Sequence, residues 1–157
     1  MSEPDRPRPS LEQLNRYAEE FTASRTLQTF GARVSFPTRD LVRVEVDEAR
    51  PEFLGGLGSA ENINGGMISA MFDLIVGCTG ALVDPTRRAA TMQLSMTFER
   101  PVMGRRVRAE ATVTNAGTRA VFSEARIYDG EGNLCARCNG VLRLSTQPWD
   151  RSSPAVN

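Results

Sequence analysis

Apolar and polar positions alternate along this chain with two different periods, and the switch between them lays out the elements. From Leu11 the apolar residues Leu14, Tyr17, Ala18 and Phe21 recur at helical spacing, and Ser10 with Gln13 three positions on makes a capping box. The pattern predicts an amphipathic helix over about 11–29, either packed on the rim of the domain or closing a channel as a lid. Residues 32–36 and 41–46 alternate with the strand period, with a turn at 37–40 between them; Arg43 and Glu45 share a solvated face. A glycine-rich stretch, 51–63, then leads into a long apolar run at 64–84. Beyond it four further alternating runs, 90–98, 105–115, 119–128 and 134–144, are separated by turn signals at 101–104, 116–118 and 129–133. Short turns predict sequential antiparallel neighbours.

The run at 64–84 organises the rest. Between Gly65 and Val83 its only charge is Asp73. At 100° per residue, Met67, Met71, Leu74, Ile75, Cys78 and Leu82 form a bulky apolar side. Gly66, Ser69, Ala70, Asp73, Gly77, Gly80 and Ala81 form another, where nothing exceeds the aspartate in size. Such a helix is long enough to cross a bilayer. Its four glycines, its mid-helix carboxylate and the strands around it favour a buried core helix instead. A buried aspartate is either structural, tied to amides or an arginine, or chemical. Gly65-Gly66 at the helix start offers amide donors that can polarise a carbonyl oxygen, and Asp73 about two turns on supplies a carboxylate. Asn62 and Asn64 stand just before the helix, where either can cap it.

The composition removes more chemistry than it adds. With no histidine, every Ser-His-Asp, Cys-His and histidine–metal arrangement is excluded. Cys135 and Cys138 have CxxC spacing, but too few partners exist for zinc and the segment reads as a strand, so the three cysteines are expected as reduced structural thiols without a metal. Nineteen basic and nineteen acidic residues balance, which gives no global argument for nucleic acid or a membrane surface as partner. Residues 1–9 are polar and proline-rich rather than signal-like, so a cytoplasmic protein is expected. At 157 residues the chain suits one domain: a leader and helix at 1–30, a core domain at 31–146 and a polar tail at 147–157.

The helix beginning Asn64-Gly65-Gly66 and carrying Asp73, followed by the strand Thr91-Met92-Gln93-Leu94-Ser95-Met96-Thr97-Phe98 and Glu99-Arg100-Pro101, resembles hotdog-fold acyl-CoA thioesterases of the phenylacetyl-CoA (PaaI-like) type. The resemblance covers roughly residues 40–145. It implies an α+β hotdog fold, an antiparallel sheet wrapped around one long buried central helix. It implies hydrolysis of an acyl-CoA or aryl-acyl-CoA with no cofactor beyond the coenzyme A of the substrate. The implied roles are Asp73 as nucleophile or general base, the Gly65 N–H at the oxyanion, Gly66 allowing close approach, and Thr91, supplied by the partner subunit, orienting the water or carboxylate. Asn64 replaces the family's usual histidine; Asn62 borders the thioester. Arg105, Arg106 and Arg119 are the implied contacts to coenzyme A, with Arg87 and Arg88 weaker candidates. The family also implies a homodimer or homotetramer with active sites at the subunit interface. The same fold without activity would be a dimer that only binds such a ligand.

Overall fold

A computed structural model describes residues 7–56 and 61–149. Two short helices, α1 (Leu11–Thr22) and α2 (Arg25–Phe30), precede strands β1 (Ala32–Thr38) and β2 (Leu41–Val46). A 3-10 turn at Pro51–Phe53 leads to the long helix α3 (Gly65–Val83), and strands β3 (Arg87–Phe98), β4 (Val107–Ala116), β5 (Ala120–Asp129) and β6 (Leu134–Pro148) follow. The six strands form one sheet in the order β1-β2-β4-β5-β6-β3, antiparallel throughout.

Local chemistry divides the N-terminal helix in two, where the apolar period predicts one. Ser10 and Gln13 make the capping box that starts α1. Ser24 then accepts the Leu27 N–H and opens α2, which Gly31 ends in the left-handed conformation at φ 63°. Part of the leader is also held, since Arg39 donates to the carbonyl oxygens of Pro9 and Arg8, each at 2.9 Å. The strands match their alternation, with β6 running on to Pro148 rather than ending near Leu144. At the outer face Arg43 bonds Glu110 across β2 and β4 at 2.8 Å.

The expectation of sequential neighbours fails at one place. β3 pairs with β6 at the far edge, not with β4. Residues 101–104 are therefore no hairpin turn but a crossing beside the start of α3: Ile63 donates to Val102 O at 2.9 Å and Gly104 to Glu61 O at 2.8 Å. Backbone amides that a hairpin would satisfy within itself are satisfied here by the segment before the helix.

α3 lies across the concave face of the sheet with Met71, Phe72, Ile75 and Val76 fully buried. Its mean hydropathy of 1.8 over an 18-residue window would suit a membrane span, yet 61% of that window is buried inside the protein. Helix and sheet approach most closely where glycine replaces a side chain. A Cβ on Gly140 of β6 would stand 2.6 Å from Val76 Cγ1, and one on Gly80 would stand 2.7 Å from Ala89 Cβ. Thr79 is buried beside this contact, its Oγ1 donating to Val76 O and sharing a hydrogen bond with Ser123 Oγ, both at 2.6 Å.

All three cysteines are free and buried. A bulge explains how both residues of the CxxC can be inside. Tyr128 pairs with Leu134 and Ile127 with Ala136, so Cys135 is the extra residue. Cys135 tucks beneath Pro101, with Sγ 3.5 Å from the Pro101 carbonyl oxygen, while Cys138 joins the core.

The close contact at Gly140 makes a test of this packing. Gly140→Ala places a methyl into the Val76 side chain and is expected to lower stability by about 1–3 kcal/mol, as overpacking does, read by denaturant unfolding. A neutral or stabilising result would contradict the observed helix–sheet spacing.

Candidate active site

Asn64 sits before α3 with φ −60° and ψ 140°, and its Oδ1 accepts the Gly66 N–H at 2.7 Å. The Asn64 side chain is thus the helix cap, which leaves the Gly65 N–H without an acceptor among the described residues. Gly65 opens onto a cleft of about 390 Å³ that also receives Asn62, Ile68, Phe98 and Arg100. A Cβ on Gly66 would lie 2.9 Å from Asn64 Oδ1, so a side chain there would push on the cap.

Asp73 corrects an expectation. The carboxylate is exposed in the single chain, not buried. Ser69, Ala70 and Gly77 beside it are only partly covered among the described residues, whereas Gly80 and Ala81 further along the stripe are buried. No arginine clamps Asp73 and no hydrogen bond reaches it among the described residues. It lines a second, larger cleft of about 480 Å³ with Leu74, Gly77, Ala89, Ala90 and Thr91. Gly65 and Asp73 are eight residues apart, about 12 Å along the helix at ~1.5 Å per residue, and they open onto different clefts.

Of the candidate residues, the structure brings Asp73 and Thr91 together, and separately Gly65 and Asn62. Arg105, Arg106 and Arg119 line neither cleft. Arg105 pairs with Glu48 at 2.9 Å, Arg106 reaches Asp47 at 4.0 Å, and Arg119 is exposed at the turn between β4 and β5. The cations at the Asp73 cleft are Arg87 and Arg88. Arg87 is held by the carbonyl oxygens of Ser145 and Thr118. Arg88 stacks over the Trp149 ring, its guanidinium carbon 5.5 Å from the ring centroid.

The remaining wall of that cleft comes from Tyr17 and Phe21 of α1 and from Trp149. Burial pushes the Tyr17 hydroxyl far above its ordinary range, and the neighbouring Cys78 adds to the shift. Burial pushes the Cys78 thiol up to about 12, against the pull of its hydrogen bond from Tyr17. Neither group ionises near neutral pH, and the pair ties α1 to α3. Groups of residues able to hold a metal ion are absent among the described residues.

A sheet curled around one long helix is the arrangement of several solved structures. Residues 60–136 match the model of the thioesterase superfamily. The PaaI protein from the phenylacetic acid degradation operon of E. coli superposes with a TM-score of 0.75 over 88% of this chain and 99% of its own, at 15% identity. A thioesterase-superfamily-related protein of Shewanella oneidensis gives 0.74 over 85% and 96% at 20% identity. A thioesterase of Haemophilus influenzae gives 0.71 over 87% and 91% at 19% identity. The chain has the hotdog fold. In sequence, the chain is 30% identical over 84 residues to a Thermoplasma volcanium protein provisionally named an esterase, a match spanning 54% of this chain and 63% of that relative.

Within this hotdog fold the sequence pointed to Asp73, Thr91 and Gly65, and missed the aromatic wall. Tyr17 and Phe21 carried a signal, being four apart on the apolar face of the first helix. Trp149 carried none, since it belongs to no periodic run.

An exposed, unpaired Asp73 carries no folding energy, whereas the Asn64 cap does. Asp73→Asn is therefore expected to change stability by no more than about 0.5 kcal/mol, and Asn64→Ala to cost about 1 kcal/mol. Unfolding curves measured side by side check this; a large loss on Asp73→Asn would make that residue structural.

Proposed function

We propose that this protein hydrolyses an acyl-CoA thioester to the free acid and coenzyme A, with an active site completed by a second copy of the chain. The observation that carries this reading is Asp73, an unpaired carboxylate on a stripe of small residues, facing an apolar cleft with Thr91 beside it. The thioesterase-superfamily match over residues 60–136 supports the same chemistry.

In this reading Asp73 takes a proton from a water that attacks the thioester carbonyl, or attacks the carbonyl itself to form a mixed anhydride that water then cleaves to the free acid, regenerating the carboxylate. The Gly65 N–H holds the oxyanion as it forms. The tetrahedral centre then expels the coenzyme A sulfur as a thiolate. A thiol ionises near pH 8.5 and leaves with little help, so the step does not need the proton that a histidine would supply. Asn64 serves as the cap that aims the Gly65 amide. Arg105 and Arg106, which follow the Gly104–Glu61 contact in the chain, are the proposed cations for the coenzyme A phosphates. Arg119 is a third cation, in the turn whose Thr118 carbonyl oxygen Arg87 holds.

One chain cannot place Gly65 and Asp73 at one carbonyl, and β3 supplies a way to join two. Among the described residues this edge strand leaves one side unpaired, and it exposes Met92 at 66% and Phe98 at 52%. A bulge between Thr91 and Gln93 makes Met92 the extra residue. A two-fold axis at Ser95 would set Leu94 against Met96 of the partner subunit and Gln93 against Thr97 of the partner subunit. Each pair faces one side of the sheet, half-buried or exposed alike. The bulge then brings Thr91 opposite Phe98 of the partner subunit. The Asp73 cleft of one copy thus meets the Gly65 cleft of the other.

Release of free thiol from a panel of aliphatic and aromatic acyl-CoA thioesters tests the activity. At least one should be cleaved, and Asp73→Asn should lower kcat by about 100-fold or more while the protein stays folded. Absence of cleavage across the panel would overturn the hydrolase reading and leave a dimer that binds such ligands.

A further inference from the structure

Resting on the thioester-cleaving reading, we propose that the acyl group runs from Asp73 toward the C-terminal end of α3, across Gly77, and is bounded by Phe21 and Trp149. The substrate class is then a medium-length, uncharged acyl chain. Its length is measured by two segments outside the span that matches the thioesterase superfamily, α1 and the end of β6.

Three observations fix the path. Gly77 is one helical turn beyond Asp73 on the same side of α3, and a Cβ built there meets nothing within 4 Å, so the helix opens into empty cleft at this position. Gly80, less than one turn further, is closed: its Cβ would lie 2.7 Å from Ala89 Cβ and 3.2 Å from Leu144 Cδ2. The floor therefore ends between Gly77 and Gly80. From Asp73 to Gly80 the helix rises about 10 Å, room for a zigzag chain of roughly eight carbons with ~1.5 Å bonds. Across from this floor stand Tyr17 and Phe21, whose ring centroids are 5.9 Å apart, and Trp149, whose backbone N–H donates to Thr86 O at 2.6 Å. Asp73 is the one acid among the residues lining the cleft, and both cations are engaged at the rim, Arg87 by carbonyl oxygens and Arg88 by the indole. The floor itself, Leu74, Gly77, Ala89 and Ala90, carries no charge, which suits an uncharged tail.

The test compares kcat/KM for butanoyl-, octanoyl- and hexadecanoyl-CoA in three proteins. Wild type should favour octanoyl-CoA. Gly77→Leu, which suits a helix and projects into the open cleft, should cut octanoyl relative to butanoyl by about tenfold or more. Phe21→Ala should shift preference the other way, toward hexadecanoyl. The same ratios taken from binding calorimetry decide the matter where no turnover occurs. Unchanged ratios in a folded Gly77→Leu protein would overturn this path while leaving thioester hydrolysis standing. Loss of all turnover in wild type, with the binding ratios shifted as described, would instead remove the hydrolysis and keep the acyl path.

Discussion

A single curled sheet can cover only one side of a helix, and this constraint governs the molecule. The side of α3 that carries Met71, Phe72, Ile75 and Val76 is fully buried, so the apolar burial that holds helix to sheet is concentrated there. Glycine at 140 and 80 lets the two surfaces approach within contact distance. The opposite side keeps Gly65, Gly66 and Asp73 in solvent. A carboxylate on that side avoids the cost of isolated burial and remains available for chemistry.

The same helix spaces the two groups proposed to react. An amide at its first residue and a carboxylate eight residues on cannot meet at one atom, because a helix is too stiff to shorten. Distance along α3 therefore acts as an argument for assembly. In the proposed dimer, the outer edge of β3, its bulge at Met92 and the matching faces of Leu94 and Met96 would let two copies close the gap. The surface that a single chain leaves uncovered would then become the inside of a site.

Much of this was legible from residue pattern. The bounds of α3 follow from a sharp change of period with Asn64 at one end and Asp84-Pro85 at the other. Strand alternation gave β4 and β5 to within two residues and the start of β6, but not its extension to Pro148. What the pattern could not carry was long-range pairing: nothing local distinguishes a hairpin at 101–104 from a crossing stabilised by Glu61 and Ile63. Nor could it show that Asp73 is exposed, because periodicity measures how apolar a face is and not what lies across from it. Ser24 broke the first helix through a cap that competes with an otherwise continuous apolar stripe. The aromatic wall of Tyr17, Phe21 and Trp149 is assembled from the two ends of the described chain, a juxtaposition that only the fold makes.

Complementation between two inactive variants tests the shared site most directly. Gly65→Pro removes the amide donor at the first helical position, where proline is tolerated, and Asn64 at ψ 140° already has the extended conformation that a following proline requires. Asp73→Asn removes the carboxylate from the other half. Each variant alone should be inactive on a thioester that the wild type cleaves. An equimolar mixture after exchange should recover roughly a quarter of the wild-type rate, since about half the dimers are mixed and each of these holds one intact site of two. No recovery from verified mixed dimers would place Gly65 and Asp73 in the service of the same chain and contradict the account.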